Sequence, residues 1–329
     1  MTIYSICGRS ILVCWLISIS CAMGLLAQNK TTKGISSIAF QGLKKNKESY
    51  LKQFIESAIG ASPSDSLLQE DVQRLKNLPS IGHATYDLAT ANESSEVVFY
   101  IEEVSTFLPI INFGGIKNNL WFQVGFYDFN WRGNGSFISA AYRNRDGQHG
   151  GQIYYRASRI KGTDWGFSAS LNKWASIEPF FFSEGIVNYN YTNQELGLSL
   201  IKQFGFRNQL ELGGTYFIEK HKKRNYQLSE TLVGPALLSQ AKYLSKIEYT
   251  SNFLDYHFFY INGFHGKFSL QNVYNPSDKS WFHSLQLSGK YFSRISTRGN
   301  LALRFHVGIA TNNNSPFAPY VVDLSLIHI

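Results

Sequence analysis

Residues 301–309 read Leu-Ala-Leu-Arg-Phe-His-Val-Gly-Ile, in which apolar residues alternate strictly with polar or small ones. Successive side chains of a β-strand point to opposite faces, so a strand with this sequence has one apolar and one polar face. The alternation recurs in about ten segments of the length that a membrane-spanning strand needs. They lie near 119–131, 136–146, 150–160, 164–174, 185–193, 195–204, 208–219, 241–253, 258–274 (with a bend) and 281–309 (two strands with a turn at 297–300). The pattern predicts a large antiparallel sheet.

The length and the flanks of these segments indicate a membrane barrel. A tilted strand needs about 9–11 residues to cross hydrocarbon, and lipid cannot satisfy an open sheet edge, so such strands close on themselves. Aromatic residues, which favour the membrane–water boundary, cluster at the segment ends: Trp121, Tyr127, Trp131, Tyr154, Tyr155, Tyr189, Tyr191, Trp281 and Tyr291. The strands of a soluble β-sandwich also alternate apolar and polar residues. The long segments, and a polar face that carries Glu211, Lys267 and Arg304 beside small residues, favour the barrel.

The composition agrees with this interpretation. Charged residues make up 16% and aromatic residues 15% of the 329 residues, and the mean hydropathy is −0.17. Soluble proteins carry about 25% charged residues, and a helical membrane protein would be more apolar. A barrel that is apolar outside and polar inside fits all three values.

The N-terminus has the features of an export signal. Arg9 precedes an apolar run over residues 11–27 that ends at the small residue Ala27, which predicts a secretory signal peptide over residues 1–27. An uncleaved anchor and a lipoprotein site at Cys21 are the weaker alternatives. The cysteines Cys7, Cys14 and Cys21 all lie in this segment, so the mature chain is expected to lack disulfides, cysteine-bound zinc and thiol nucleophiles.

Residues 34–104 have a different pattern and predict a separate small domain. The spacing indicates a strand from Ile35 to Phe40 that ends at Gly42, and a helix over 47–59. A second helix over 67–78 is capped by Ser64, Asp65 or Ser66 and ended by Pro79. Strands over 84–90 and 96–104 follow, joined by a turn at 92–94. Two amphipathic helices can cover one face of a three-stranded sheet, which gives a two-layer domain in the order β-α-α-β-β.

The sequence contains no recognisable catalytic or metal-binding pattern, so we expect neither an enzyme nor a cofactor or metal site. The eight histidines are scattered, and His265 and His306 fall on polar strand faces. Gly133 and Gly135 indicate a turn, because no strand-to-helix crossover follows that would make a phosphate loop. The basic residues of the segment 220–224 suit a solvated loop better than a nucleic-acid site.

Residues 34–104 resemble a POTRA domain. The resemblance rests on the first strand with its hydrophobic-Gly end, on the helical segments 51–60 and 67–78 with Asp71, and on the last strand, residues 97–103, which ends in Glu103. The region after it resembles the barrel of the BamA/TamA family of outer-membrane assembly proteins, whose first β-turn is similar to residues 128–135. Together the resemblance covers most of residues 34–323.

Two features differ from that family. Members often have several POTRA domains, whereas this chain has room for one, and the Arg-Gly-Phe-type loop motif of the family is not seen. The family barrel has sixteen strands, so residues 110–323 are expected to form an incomplete barrel. The last six residues, 324–329, have the sequence that a common sequencing adapter encodes, and we interpret them as an artefactual tail on a truncated record.

The resemblance implies a factor that assembles or inserts outer-membrane proteins in Gram-negative bacteria, with the POTRA domain in the periplasm. Its partners would be membrane lipid, unfolded client proteins and periplasmic accessory proteins, with no nucleic acid. The implied client-binding edge strand contains Ala84, Thr85, Tyr86, Asp87 and Leu88. A polypeptide-secretion pore and a passive porin-like channel are the alternatives.

Overall fold

A computed structural model describes residues 34–91, 94–115, 120–145, 147–160, 162–182, 185–224, 234–297 and 299–311. The predicted signal peptide over residues 1–27, part of the predicted turn at 92–94, and the predicted tail over 324–329 lie outside these ranges. No helix in the described ranges is long and apolar enough to span a bilayer.

The described residues between 34 and 103 form a small sheet covered by helices. The order is β1 (Ile35–Gln41), α1 (Glu48–Leu51), a 3-10 turn (Lys52–Phe54), α2 (Asp65–Lys76), β2 (Ile81–Ala91) and β3 (Ser94–Glu103). Strand β3 is central, parallel to β1 and antiparallel to β2. We call residues 34–103 the N-terminal unit.

A single apolar core holds the N-terminal unit together. Leu68 and Leu75 of α2, Val97 and Phe99 of β3, and Leu51 of α1 belong to this core, and all five side chains are fully buried. The spacing of Leu68, Val72 and Leu75 places them on one helix stripe, as the sequence predicts. The β-α-α-β-β order predicted from the sequence is the order observed.

The first predicted helix is too long. It was expected over 47–59, but α1 and the 3-10 turn end at Phe54, and Ile55 has an extended backbone (φ −110°, ψ 145°). The backbone N–H groups of Glu56 and Ser57 donate to the carboxylate of Asp71 at 2.8 and 3.0 Å. This buried carboxylate therefore takes up the amides that a continued helix would use.

The rest of the described chain forms one 12-stranded antiparallel sheet. Its strands are β4 (Phe107–Gly114), β5 (Trp121–Trp131), β6 (Ser136–Arg145), β7 (Gln148–Ala157), β8 (Trp165–Phe182), β9 (Gly185–Phe204), β10 (Asn208–Lys223), β11 (Leu237–Asn252), β12 (Asp255–Tyr256), β13 (Ile261–Asn275), β14 (Ser280–Arg294) and β15 (Asn300–Ala310). Apart from the short β12, which pairs with β13, each strand pairs with its sequence neighbours. Within the described residues the path does not close: β4 pairs only with β5, and β15 only with β14.

The two faces of this sheet differ as the alternation predicts. Leu196, Leu198 and Leu200 of β9 lie on one face and are 48–59% exposed. The opposite face carries Glu211, which is 3% exposed, and Ser168, which is 5% exposed. The polar side chains are therefore buried on one face of the sheet, and the apolar side chains are exposed on the other.

Several predicted strand boundaries are wrong. The segments 185–193 and 195–204 are one strand, β9, because nothing between them breaks its pairing with β8 and β10. The basic segment 220–224, expected in a loop, lies in β10 as far as Lys223, where it continues the pairing with β9. The bend expected in 258–274 is a separate turn ahead of β13.

One strand was missed altogether. The barrel was expected to begin at residue 110, but β4 starts at Phe107. Its first five residues, Phe-Leu-Pro-Ile-Ile, are all apolar, so the segment does not alternate. Pro109 lies within this strand, and proline is compatible with an edge strand, which is the position of β4.

Candidate functional site

The site with the most specific geometry is the junction between the N-terminal unit and one end of the large sheet. We call this end, where the turns after β5, β7, β9 and β11 lie, the proximal end. Polar, aromatic and charged side chains from both parts meet there.

Glu103, the last residue of β3, organises the loop after β1. Its carboxylate accepts the backbone N–H groups of Lys44 (3.0 Å), Lys45 (2.8 Å) and Asn46 (2.9 Å). Partial burial alone would raise the pKa of Glu103, but these hydrogen bonds, led by that from Lys44, hold it below its ordinary value. The neighbouring Glu102 is exposed, because adjacent residues of a strand face opposite sides.

The pKa of Glu103 leads to a prediction about acid stability. A carboxylate with a lowered pKa in the folded state stabilises the fold fully above its ordinary pKa of 4.5 and loses that contribution as the pH falls below it. We therefore expect Glu103→Gln to weaken the junction at neutral pH and to flatten its loss of stability on acidification. Amide exchange at Lys44 to Asn46 between neutral and acidic pH measures both effects. Glu102→Gln is the matched control, and an identical pH profile for both variants would contradict the assignment.

Lys45 carries the contact from this loop to the large sheet. Its Nζ atom donates to Asp128 of β5 at 2.8 Å and to the hydroxyl of Thr106 at 3.2 Å. Thr106 donates to Asp128 at 2.7 Å, and so does the backbone N–H of Asn130 at 2.9 Å. The Asp128 side chain is only 5% exposed. The buried carboxylate thus ties the loop to the start of β4 and the end of β5.

A neutral hydrogen-bond chain lies beside this ion pair. The side-chain carbonyl of Asn46 accepts from the amide of Asn130 and from the hydroxyl of Ser80, both at 2.8 Å. The side-chain carbonyl of Asn130 accepts from the backbone N–H of Gly135 at 2.7 Å. Asn46, Ser80 and Asn130 are all buried, so removing any one of them leaves a buried polar group without its partner.

The turn between β5 and β6 is shaped to receive the N-terminal unit. Gly133 and Gly135 have positive φ angles of 74° and 68°, which confirms that these glycines form a turn. The carbonyl of Gly133 accepts the backbone N–H of Lys47 at 2.9 Å. A Cβ atom on Gly133 would overlap the carbonyl of Lys45, and one on Gly135 would overlap the ring of Tyr50. Both positions therefore require glycine because of close approach as well as backbone conformation.

Aromatic rings and guanidinium groups fill the next part of the junction. Arg74 of α2 lies over the ring of Phe206 at 4.7 Å, and Arg159 lies 5.9 Å from the rings of both Phe206 and Phe54. Arg74 also forms an ion pair with the fully buried Asp71 at 2.7 Å. Stacking of this kind is favourable where water is excluded.

A cavity of about 730 Å³ opens between the helices of the N-terminal unit and the proximal end. Aromatic and arginine side chains from both parts line it, including Phe54, Arg74, Phe129, Phe206, Arg207 and Tyr256. Arg74 and Lys76 of α2 contribute to the lining. Asn77 donates to Asp255 at 3.0 Å and accepts the backbone N–H of Tyr256 at 2.9 Å.

The polar face of the large sheet carries a ladder of alternating charge. Glu211 of β10 accepts from Arg156 of β7 at 2.7 Å and from Lys246 of β11 at 2.8 Å. Glu248 of β11 continues the ladder by accepting from Lys267 of β13 at 2.8 Å. The residues Glu211 and Lys267, which the sequence placed on the polar face, therefore belong to one network. No cluster of metal-ligating side chains occurs among the residues that the structure describes.

The predicted client-binding residues lie on β2, an edge strand in the described part of the small sheet. Thr85 and Asp87 are exposed, whereas Ala84 is buried in the core. Tyr86 is half-buried and its hydroxyl donates to Asp65, which raises the pKa of Tyr86. Leu88 is 36% exposed. Peptide binding at this edge stays a prediction.

The sequence did not identify the junction residues Lys45, Asn46, Thr106 and Asn130. The side-chain partners of Lys45 and Asn46 are 34–84 positions away in the chain, and single polar residues in short connections carry no periodic signal. The only available signal was the resemblance of residues 128–135 to a first barrel turn.

Comparisons with known proteins support the fold alone. No family model matches the chain, and no curated protein matches it. Among solved structures, the chain is similar to BamA from Haemophilus ducreyi lacking POTRA domains 1–3, with a TM-score of 0.52 and 14% identity over 85% of this chain and 56% of that one. CdiB from Acinetobacter baumannii (TM-score 0.48, 12% identity, 87% and 54% coverage) and CdiB from Escherichia coli (0.49, 10%, 85% and 55%) also match. The chain thus spans little more than half the length of these structures, and its large sheet resembles the BamA barrel.

Proposed function

We propose that this chain is part of an outer-membrane protein that assembles or inserts other barrel proteins. The N-terminal unit acts as a POTRA domain in the periplasm and captures unfolded client polypeptide, and the large sheet is a membrane barrel that templates insertion. The single observation that carries the proposal is the junction. It fixes a unit with an exposed edge strand to the proximal end of an antiparallel sheet that begins with a second edge strand, β4.

Capture is proposed at β2. Its outer edge pairs with no strand of the described residues, so its main-chain N–H and C=O groups are open to an extended peptide. Thr85 and Asp87 are exposed beside that edge. Main-chain pairing depends little on the client sequence, which suits a factor that handles many clients.

Insertion is proposed at the edge of β4. Ile111 and Phe113 on its apolar face are 72% and 81% exposed, so in this proposal the strand faces lipid. Unpaired main-chain groups in hydrocarbon cost several kcal/mol each, about 2–7 kcal/mol per group. A client strand that pairs with β4 would relieve that cost for both partners. Thr106, bonded to Lys45 and Asp128, holds the start of β4 next to the N-terminal unit.

Two other functions fit the same fold. A polypeptide-secretion pore would use the N-terminal unit to capture one exported partner, and a passive channel would need no such unit. The hydrogen bonds and the ion pair that join the N-terminal unit to the proximal end support the two functions that use this unit. Periplasmic accessory proteins would be further partners, and no catalytic step or cofactor is proposed.

Depletion of the full-length protein in its host separates these functions. For an assembly factor we expect the abundance of many outer-membrane barrel proteins to fall together, because each requires templated pairing. Loss of a single secreted protein would instead favour the secretion pore, and unchanged levels of all barrel proteins would contradict assembly.

The depleted strain also tests the role of β2. Complementing copies carry a photo-crosslinking residue at Thr85 or Asp87, and a matched copy carries it at the exposed Ser36 of β1, the shorter edge strand of the same sheet. We expect precursors of the affected barrel proteins to crosslink at Thr85 and Asp87 more strongly than at Ser36. Equal crosslinking at all three positions would exclude β2 as the specific edge.

A further inference from the structure

The turn between β12 and β13 exposes two phenylalanine side chains at its tip. Asp255 and Tyr256 pair with Asn262 and Ile261, and the backbone N–H of His257 donates to the carbonyl of Tyr260 at 2.9 Å. Phe258 and Phe259 therefore occupy the two central positions of the turn. They are 89% and 90% exposed, more than any other large apolar residue in the described chain.

The turn itself does not require these residues. The central positions of such turns favour Gly, Pro, Asn, Asp and Ser, because these residues suit the backbone angles or bond to it. Neither phenylalanine has a positive φ angle. The two rings contact each other edge to face at 4.6 Å. Full burial of a phenylalanine side chain is worth about 1.5–3 kcal/mol, so an exposed pair indicates a surface that is covered in the working protein.

The base of the turn is held firmly by the N-terminal unit. Asn77 bonds to Asp255 and to the backbone of Tyr256, and Gln73 donates to the carbonyl of Tyr256 at 3.2 Å. The rings of His257 and Tyr260 stack at 4.3 Å. The phenylalanine pair is therefore presented in a fixed orientation, which lowers the entropic cost of covering it.

The surroundings of the turn suit a lipid surface. Phe264 and Phe268 continue the apolar face of β13 away from the turn, and Ile295 in the next turn of the proximal end is 70% exposed. The guanidinium of Arg294 lies over the ring of Tyr260 at 4.6 Å. An apolar tip beside an aromatic ring and a cation matches the boundary between acyl chains and phosphate headgroups.

We infer that the Phe258–Phe259 turn inserts into the periplasmic leaflet of the membrane that holds the barrel, with Arg294 at the lipid phosphates. Because α2 bonds to the base of the same turn, the insertion also holds the N-terminal unit at a fixed height above the membrane. This inference rests on the proposed function, since it needs the large sheet to lie in a bilayer.

Fluorescent labelling tests the insertion directly. The mature full-length protein is expected to lack Cys7, Cys14 and Cys21 together with the predicted signal peptide. Single-cysteine variants Phe258→Cys and Phe259→Cys are therefore labelled with an environment-sensitive dye and reconstituted into phosphatidylethanolamine–phosphatidylglycerol vesicles. Ser277→Cys, in the exposed turn at the other end of β13, is the matched control. We expect blue-shifted emission at positions 258 and 259, and several-fold stronger quenching by spin-labelled lipid than at position 277.

The outcomes separate this inference from the proposed function. If all three labelled variants reconstitute as folded, protease-resistant barrels but positions 258 and 259 emit as in water, the insertion is wrong and the barrel proposal stands. Protection of these positions without lipid quenching would identify a protein or a second copy as the cover and would also overturn the inference. Failure of every variant, the control included, to enter vesicles would count against the proposed function.

Discussion

Replacing Gly133 with alanine is expected to detach the N-terminal unit from the large sheet. The φ angle of 74° costs a residue with a Cβ atom about 1–2 kcal/mol. The added Cβ would also overlap the carbonyl of Lys45, and that carbonyl belongs to backbone held by Glu103. Because neither side can move without breaking these bonds, we expect a total loss of about 3 kcal/mol or more at the junction.

The chain offers a matched control for the conformational cost of the positive φ angle. Gly147, in the turn between β6 and β7, has a φ angle of 75°, and a Cβ atom added there meets nothing within 4 Å. Gly147→Ala therefore carries the same conformational cost without the overlap. The difference between the two variants isolates the close approach at the junction.

Hydrogen exchange measures the effect at a single bond. The amide of Lys47 donates to the carbonyl of Gly133, so it should lose protection in Gly133→Ala and keep it in Gly147→Ala. The core amides of β3 should stay protected in both variants, because the core of the N-terminal unit does not include the turn. Equal protection of the Lys47 amide in both variants would show that the junction accommodates the added Cβ atom without losing stability.

The sequence predicts the fold correctly where apolar residues repeat with the period of a strand or a helix. Strict alternation identified ten of the strand segments and their apolar and polar faces, because the side-chain period of a strand is two. The stripe of Leu68, Val72 and Leu75 identified α2 in the same way. Prediction from the sequence failed at β4, because five consecutive apolar residues have no period. It also failed at residues 55–59, where the carboxylate of Asp71 accepts backbone amides that a helix would use.

The candidate site was less accessible to prediction for a different reason. Lys45 and Asp128 lie 83 positions apart, and nothing in the local sequence of either residue indicates the other. The edge position of β2 entered through a family resemblance and not through periodicity. The glycines at 133 and 135 predicted a turn, but the requirement for their missing Cβ atoms comes from Lys45 and Tyr50, which only the three-dimensional structure brings close.

The second large effect is expected at Glu211, on the polar face of the large sheet. Its side chain is 3% exposed and accepts from two cations, Arg156 and Lys246, whose side chains are 20% and 24% exposed. Their hydrogen bonds, together with the two positive charges, oppose the effect of burial on the carboxylate. Removing one member of such a buried group leaves the others uncompensated, at a cost of about 3–5 kcal/mol.

We therefore expect Glu211→Ala to lower the stability of the sheet far more than Glu195→Ala. Glu195 lies on the same face of the neighbouring strand β9 and accepts from one neutral group, the amide of Asn172, at 3.0 Å. Loss of that bond should cost about 1 kcal/mol. Urea unfolding in detergent, followed by tryptophan fluorescence, measures both variants against the parent.

A double variant distinguishes the ion pair from packing. If uncompensated charge causes the loss, Arg156→Leu combined with Glu211→Leu should recover part of the stability that Glu211→Leu alone removes, because the pair disappears together. If the loss instead reflects the space left by the side chain, the two substitutions should add without recovery. Additive losses would mean that water entering the polar face compensates Arg156 and Lys246, and that the ladder contributes little to holding β7, β10 and β11 together.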